Sequence, residues 1–269
     1  MKKLLILLLA LVMIVGLFAC GNQTDPPVVD VPTDPPATDA PTEEPTAGII
    51  GYADFIAAPI GAQVTVETCI QDVEEWRDGM LRLYTQNGEG AYYIHSLACT
   101  EEDAWGVLNP GAKILVTGSK TESFGQIMIT DATYELLEGV NDANFAAPID
   151  VTALARQGND ALMEKMSYWV TIQGLTVVAS KDPNGNEVPY LYKQDGSGAQ
   201  GDDIYINAQI GEQIYTFVVN TNMVGTGPQS EAYVDIVENM QIGDVVTIEC
   251  YLCWHNGPQP HVTALYTTA

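Results

Sequence analysis

The chain has 269 residues, 35 acidic against 10 basic, and a formal net charge of −25. Such a balance repels nucleic-acid phosphates and anionic lipid headgroups, and it admits a cation, a neutral sugar or a basic peptide more readily. With 46% hydrophobic residues the length is enough for one or two domains, each with its own core.

Met1-Lys2-Lys3 begins the chain with positive charge, and Leu4 to Phe18 is an apolar run broken only by Gly16. Fifteen residues are short for a spanning helix, which needs about 20, and suit the core of a signal peptide. The ending Leu17-Phe18-Ala19-Cys20 resembles the lipobox of bacterial lipoproteins, in which the cysteine is acylated and becomes the new N-terminus. Phe18 departs from the small residue usual there. The expected unit is therefore a lipoprotein signal over 1–20, with Cys20 as the site of lipid attachment and palmitate as one expected acyl group.

Residues 21–47 hold seven prolines, six acidic residues and no basic one. This composition cannot bury a core, so the segment is expected to be a disordered tether of at most roughly 80 Å. It would hold the rest of the protein at the cell membrane, on the extracytoplasmic face.

The folded part is expected over 48–269, and it repeats. Leu108-Asn109-Pro110-Gly111 opens an alternating apolar strand, and Met240-Gln241-Ile242-Gly243 opens another. Gly118, Gly125 and Tyr134 in the first copy are matched by Cys250, Gly257 and Tyr266 in the second. A fixed spacing of turn, strand, turn and strand is the mark of an internal duplication. Upstream, Val64-Thr65-Val66 matches Val170-Thr171-Ile172, and Leu83-Tyr84-Thr85-Gln86-Asn87-Gly88 matches Leu191-Tyr192-Lys193-Gln194-Asp195-Gly196. Leu83 to Leu108 is 25 positions and Leu191 to Met240 is 49, which places an extra hairpin after the second strand of copy two.

In chain order, Gly51 to Ile56 is a short helical lead-in, and Gln63 to Gln71 alternates as a long first strand. Met80 to Gln86 is a second strand with Leu81, Leu83 and Thr85 on one face; Asn87-Gly88 turns it into a third, Ala91 to Leu97. Thr100 caps a short acidic helix that ends at Asn109-Pro110-Gly111, and two more strands follow. Copy two reads as a lead-in helix at Asp160 to Met166, then strands Trp169 to Val178 and Tyr190 to Gln194. Its enlarged middle contains Ile204 to Asn207 and Ile214 to Val219. Helix Ser230 to Asn239 and strands Val245 to Tyr251 and Pro260 to Thr267 complete it.

The order β-β-β-α-β-β is that of the OB-fold. The expected fold class is mainly β: two tandem five-stranded OB-fold-like Greek-key barrels, each with one short helix between strands three and four. The barrels are expected at 48–139 and 140–269. Their charges are −10 (14 acidic, 4 basic) and −11 (15 acidic, 4 basic).

Little in the chain points to catalysis. No Gly-x-Ser-x-Gly, Walker loop, dinucleotide fingerprint or His-Glu-x-x-His occurs, so no enzyme, cofactor or metal is expected. Asp182-Pro183-Asn184-Gly185-Asn186-Glu187 imitates the start of a calcium loop, but Glu187 and Lys193 stand where that loop needs Gly and a bidentate acid. It reads better as a hairpin tip. Cys250 and Cys253 lie on opposite strand faces, about 10 Å apart, too far to bridge. Cys69 and Cys99 are the pair in one domain that would meet across the barrel, and are expected as a disulfide.

OB barrels bind ligands on the face of strands two and three, often by stacking on aromatic rings. The residues of that face are Arg82, Tyr84 and Gln86, with Tyr93 and His95 beside them and Tyr190, Tyr192 and Gln194 as their mates. They compose a candidate aromatic platform; the alternative is that the tyrosines cover a hairpin or an inter-domain contact. The expected function is a non-catalytic, membrane-anchored binding lipoprotein for a neutral glycan, or for a peptide or surface protein. Nucleic acid is disfavoured by charge. The other readings are a nucleic-acid-binding or nuclease-accessory protein, and a structural spacer in a surface assembly.

The folded region resembles tandem OB-fold lipoproteins of anaerobic Firmicutes. Ala98-Cys99-Thr100-Glu101-Glu102-Asp103, Gly174-Leu175-Thr176-Val177 and Trp254-His255-Asn256-Gly257-Pro258 carry the resemblance, together with the Leu108-x-Pro110-Gly111 turn. It implies a fold and a cell-surface location, and no catalytic residues.

Overall fold

A computed structural model describes residues 48–267; the signal segment, Cys20 and the whole tether lie outside the described residues. In the first repeat, helix α1 (Tyr52–Ala57) precedes strands β1 (Gln63–Val73), β2 (Met80–Gln86) and β3 (Ala91–Ala98). Helix α2 (Glu101–Gly106) and strands β4 (Lys113–Ser123) and β5 (Gln126–Glu138) follow. The apolar residues of β1 at Val64, Val66 and Ile70 turn inward, and the strand bends at a bulge between Ile70 and Asp72. That bend lets its first half pair with β4 and its second half with β2. One long strand thus joins both sides of a closed barrel in the order β1-β2-β3-β5-β4, as the OB-fold requires.

The second repeat opens with β6 (Ile149–Asp150), α3 (Thr152–Ala155), α4 (Asn159–Met163) and β7 (Trp169–Val177). Three short strands come next, β8 (Ser180–Lys181), β9 (Glu187–Val188) and β10 (Leu191–Tyr192). Then come β11 (Ile204–Ile210), β12 (Gln213–Val219), α5 (Glu231–Asn239), β13 (Val245–Tyr251) and β14 (His261–Thr267). The order β7-β11-β12-β14-β13, closed by pairing of β13 with β7, repeats the first ring strand for strand. The fold is two tandem OB barrels, each with a helix between its third and fourth strands. Both helices are capped as their sequences dictate: Thr100 Oγ1 accepts from the Asp103 amide at 3.1 Å, and Ser230 Oγ from the Tyr233 amide at 3.2 Å. Gly111 and Gly243, mates in the repeat, turn into the fourth strands at φ +88° and +96°, a region open chiefly to glycine.

One strand assignment is corrected. Strand two of the second barrel is β11, whose Ile204, Ile206, Ala208 and Ile210 alternate into the core. The segment Tyr190 to Gln194 contributes only Leu191 and Tyr192, an edge pairing on Tyr205 and Ile204. Pro189 precedes that pair, and Lys193 after it adopts φ +58°, so the strand cannot propagate. The extra hairpin therefore lies between strands one and two. Its tip is Asp182 to Asn186, where the Asp182 carboxylate accepts the Asn184 and Asn186 amides at 2.9 and 2.8 Å.

Candidate functional site

Alternation along β2 sends Leu81 and Leu83 into the first barrel and leaves Arg82, Tyr84 and Gln86 on its outer face. Tyr84 stands opposite Tyr93 of β3, as the pattern predicts. The second barrel covers both. Tyr84 is 1% exposed and stacks on Tyr251 with ring centroids 4.4 Å apart and planes at 18°. Tyr93, Met128, Met223 and Cys253 complete this apolar seam between the barrels. Tyr84 and Tyr93 are therefore no open platform, and the expectation that they form one is corrected: Tyr251 occupies the stacking surface.

A buried carboxylate holds the seam. Glu74, 2% exposed, accepts from Tyr84 Oη at 2.6 Å and Asn220 Nδ2 at 3.2 Å on one oxygen, and from Arg82 at 3.1 Å on the other. Tyr84 Oη also lies 2.6 Å from His261 Nδ1. Tyr84 donates its single proton to Glu74, so toward His261 its oxygen accepts and the imidazole supplies the proton at Nδ1. Burial pushes the Tyr84 and Tyr93 phenols well above their usual range, with the Glu74 charge adding to it, and burial lowers His261. Asp72, on the same face of β1, is raised to about 6, chiefly by desolvation.

Amide side chains close the seam elsewhere. Gln86 Oε1 accepts the Trp169 amide at 3.0 Å, and Gln126 Oε1 accepts the Trp254 amide at 2.8 Å. Burying these backbone donors without partners would cost roughly 1–3 kcal/mol each.

What stays open is the rim of the same face. Arg77, Arg82 and His95 line a cleft of about 250 Å³ with Glu74, Glu75, Asp78 and Asn222, and Arg77 lies 3.6 Å from Glu75. Arg82 keeps 47% of its side chain exposed and spends one donor on Glu74, so further guanidinium donors face the cleft. His95 lies half-buried at its wall, and its pKa is lowered by burial first and by Arg82 second. Arg77 and the β1–β2 loop that carries it were absent from the sequence-based candidates; two cations flanking strand two were the available signal.

The second-barrel candidates lie elsewhere. Tyr190 and Tyr192 sit in the insertion between strands one and two, packed edge to face at 5.5 Å, and Gln194 is exposed beyond them. They do not share a face with Tyr84 or Tyr93. Cys69 and Cys99 are free thiols, as are Cys250 and Cys253, so the expected disulfide is corrected. Cys69 pairs with Gln86 at one end of β2, while the Cys99 amide bonds Gly79 beyond the other end. The length of β2 separates them by about 20 Å, against the ~6 Å a bridge allows. Cys250 belongs to the core of the second barrel and Cys253 to the seam, on opposite strand faces as the alternation predicts.

No family model and no curated protein matches the chain. Solved structures do. The p204 HINb domain is 10% identical with a TM-score of 0.32, over 78% of this chain and 99% of that one. The Ifi202 HINa domain in complex with 20bp dsDNA is 8% identical at a TM-score of 0.33, over 77% and 98%. A Replication Protein A heterotrimer bound to ssDNA is 8% identical at 0.27, over 77% of this chain and 49% of that one. The likeness is one of fold. The expected neutral glycan or peptide partner, with nucleic acid disfavoured, is corrected, because the aromatic rings of the platform meant to take it, Tyr84 and Tyr93, are buried.

Proposed function

We propose that this chain is a nucleic-acid-binding OB-fold protein, non-catalytic, that takes a short length of strand at the Arg77–Arg82–His95 cleft. One observation carries this reading. Two of the four cations of the first barrel and one of the three histidines of the chain converge on a single cleft, at the open rim of strands two and three. That is the face and loop through which OB barrels take oligonucleotides. Acidic neighbours limit the contact: Arg77 is paired with Glu75 and Arg82 with Glu74, so the two neutralise at most about two phosphates, for a single-strand salt slope of about 1.4 or less.

The test is fluorescence anisotropy of a labelled single-stranded oligonucleotide at low salt. Binding with a shallow salt slope, lost in the Arg77→Ala/Arg82→Ala double variant, supports the reading. No binding by the unaltered protein, or equal binding by the double variant, overturns it. The buried seam favours a second reading, a rigid spacer in a surface assembly, which predicts no rise in anisotropy at any salt.

The sequence around Cys20 supports a lipid anchor that places the barrels outside the cell membrane, as in the surface lipoproteins the chain resembles. Cys20→Ser should then release the protein from the membrane fraction; undiminished retention would point to an uncleaved apolar anchor instead.

A further inference from the structure

A second pocket lies outside the cleft and the seam, between the insertion of the second barrel and the end of α5. It measures about 420 Å³, and Val188, Tyr190, Tyr192, Val237 and Met240 line it with Asp182 and Gln241 among their neighbours. The volume falls within the roughly 300–1,000 Å³ of small-molecule sites. Its chemistry is of one sign. Asp182 is the only charged residue in the lining. The hydrogen bonds of its own hairpin, from Asn186 first and then Asn184, hold its carboxyl below the usual range, so it carries a full negative charge at neutral pH.

The C-terminal turn of α5 adds negative potential. Carbonyls at a helix end are the negative pole of its dipole, and no basic side chain occupies the last turn. The Val237 carbonyl points to the pocket, since Tyr190 Oη donates to it at 3.3 Å. The two tyrosine rings are 5.5 Å apart with planes at 73°, two walls of an open corner. The Tyr192 phenol is pushed up to about 12, by burial first and its neighbour Tyr190 second, and stays neutral. A neutral ring presents a negative π face, and a cation within about 6 Å of the centroid is attracted to it.

We infer that this pocket binds a small organic ammonium ion, held against the corner that the Tyr190 and Tyr192 rings make, in the field of Asp182 and the C-terminal end of α5. Its one charged lining residue is an acid, so the site is independent of the cleft in the first barrel. A methylated ammonium is the best-matched chemistry, because its charge is spread over apolar methyl groups that fill a corner of aromatic rings.

Choline is the probe and its neutral tert-butyl analogue the control, titrated into the full-length chain by calorimetry and by tyrosine ring NMR. The expected result is saturable choline binding that perturbs the Tyr190 and Tyr192 rings, with clearly weaker binding of the analogue. Tyr190→Leu and Tyr192→Leu, which keep apolar bulk, should each weaken choline by about 2- to 30-fold. Asp182→Asn, which keeps the oxygen that accepts the Asn184 and Asn186 amides and removes the charge, should weaken it while leaving the analogue unchanged. Equal binding of choline and its analogue would overturn the inference in favour of a plain apolar pocket. Choline that binds without moving either ring, or that does not bind at all, would overturn it outright.

Discussion

The backbone amide of Asn256 donates to the carbonyl of Phe124 across 2.7 Å, and the two residues are mates in the repeat, 132 positions apart. Both have left-handed backbones, φ +50° at Phe124 and +58° at Asn256, and each is followed by a glycine. The hairpins joining the last two strands of each barrel thus dock tip to tip, with the His255 ring 4.4 Å from that of Phe124. A duplication visible as spacing in the chain becomes a contact between its own copies.

That contact makes Gly125 sensitive. Its φ is +84°, and a Cβ there would come within 3.0 Å of Trp254 Cδ1. Gly125→Ala should destabilise the protein by about 1–2 kcal/mol from the backbone alone. Gly139→Ala, where nothing lies within 4 Å, is the control. Chemical denaturation of both variants checks this; equal stability would mean that neither the left-handed backbone at Gly125 nor its approach to Trp254 costs anything on substitution.

Tyr84 is a seam residue rather than a platform, and its substitution should read as stability. Tyr84→Ala should cost about 3–5 kcal/mol, as for a buried aromatic. Tyr84→Phe keeps the stacking on Tyr251 and should cost about 1–3 kcal/mol, since it leaves Glu74 and His261 short of a partner. If both variants melted like the parent, the two barrels would not be packed along this face.

Acid and base should act on the seam in opposite directions through two residues. Asp72 has a folded pKa raised from 3.8 to about 6, so the folded state holds more protons between those values. Its contribution is most favourable at low pH and is lost as pH rises through 6. His261 is lowered from 6.5, so its contribution is present above that value and lost as pH falls below it. Asp72→Asn should therefore stabilise the protein at pH 7, by about 1–3 kcal/mol, and remove the fall in stability between pH 4 and 7 that Asp72 causes. Denaturation midpoints for parent and variant across that range decide the sign. A variant less stable at pH 7 would rule out desolvation as the dominant effect.

Reductant should leave the melting temperature unchanged. The four cysteines of the described region are free thiols, and the length of β2 keeps Cys69 from Cys99. A reduction-dependent fall in melting temperature would require a bridge and hence a different strand arrangement.

Much of this molecule is written in local pattern. The alternation of Val64, Val66 and Ile70, the turn at Asn87-Gly88, and the caps at Thr100 and Ser230 each depend on residues a few positions apart, so the sequence carries them directly. Strand two of the second barrel escaped because a six-residue likeness at Leu191 outweighed the cleaner alternation at Ile204, Ile206, Ala208 and Ile210. The β2–β3 face was legible too, in that Arg82, Tyr84 and Gln86 do leave the barrel together. Whether water or another barrel meets them was not. Tyr84 faces Tyr251 from the far end of the chain, and a strand's alternation is the same whichever one covers it. The sequence by itself determined two barrels and which side chains leave them; only the tertiary structure decided that the aromatic half of that face is buried and that its charged rim, with Arg77 and Arg82, stays open.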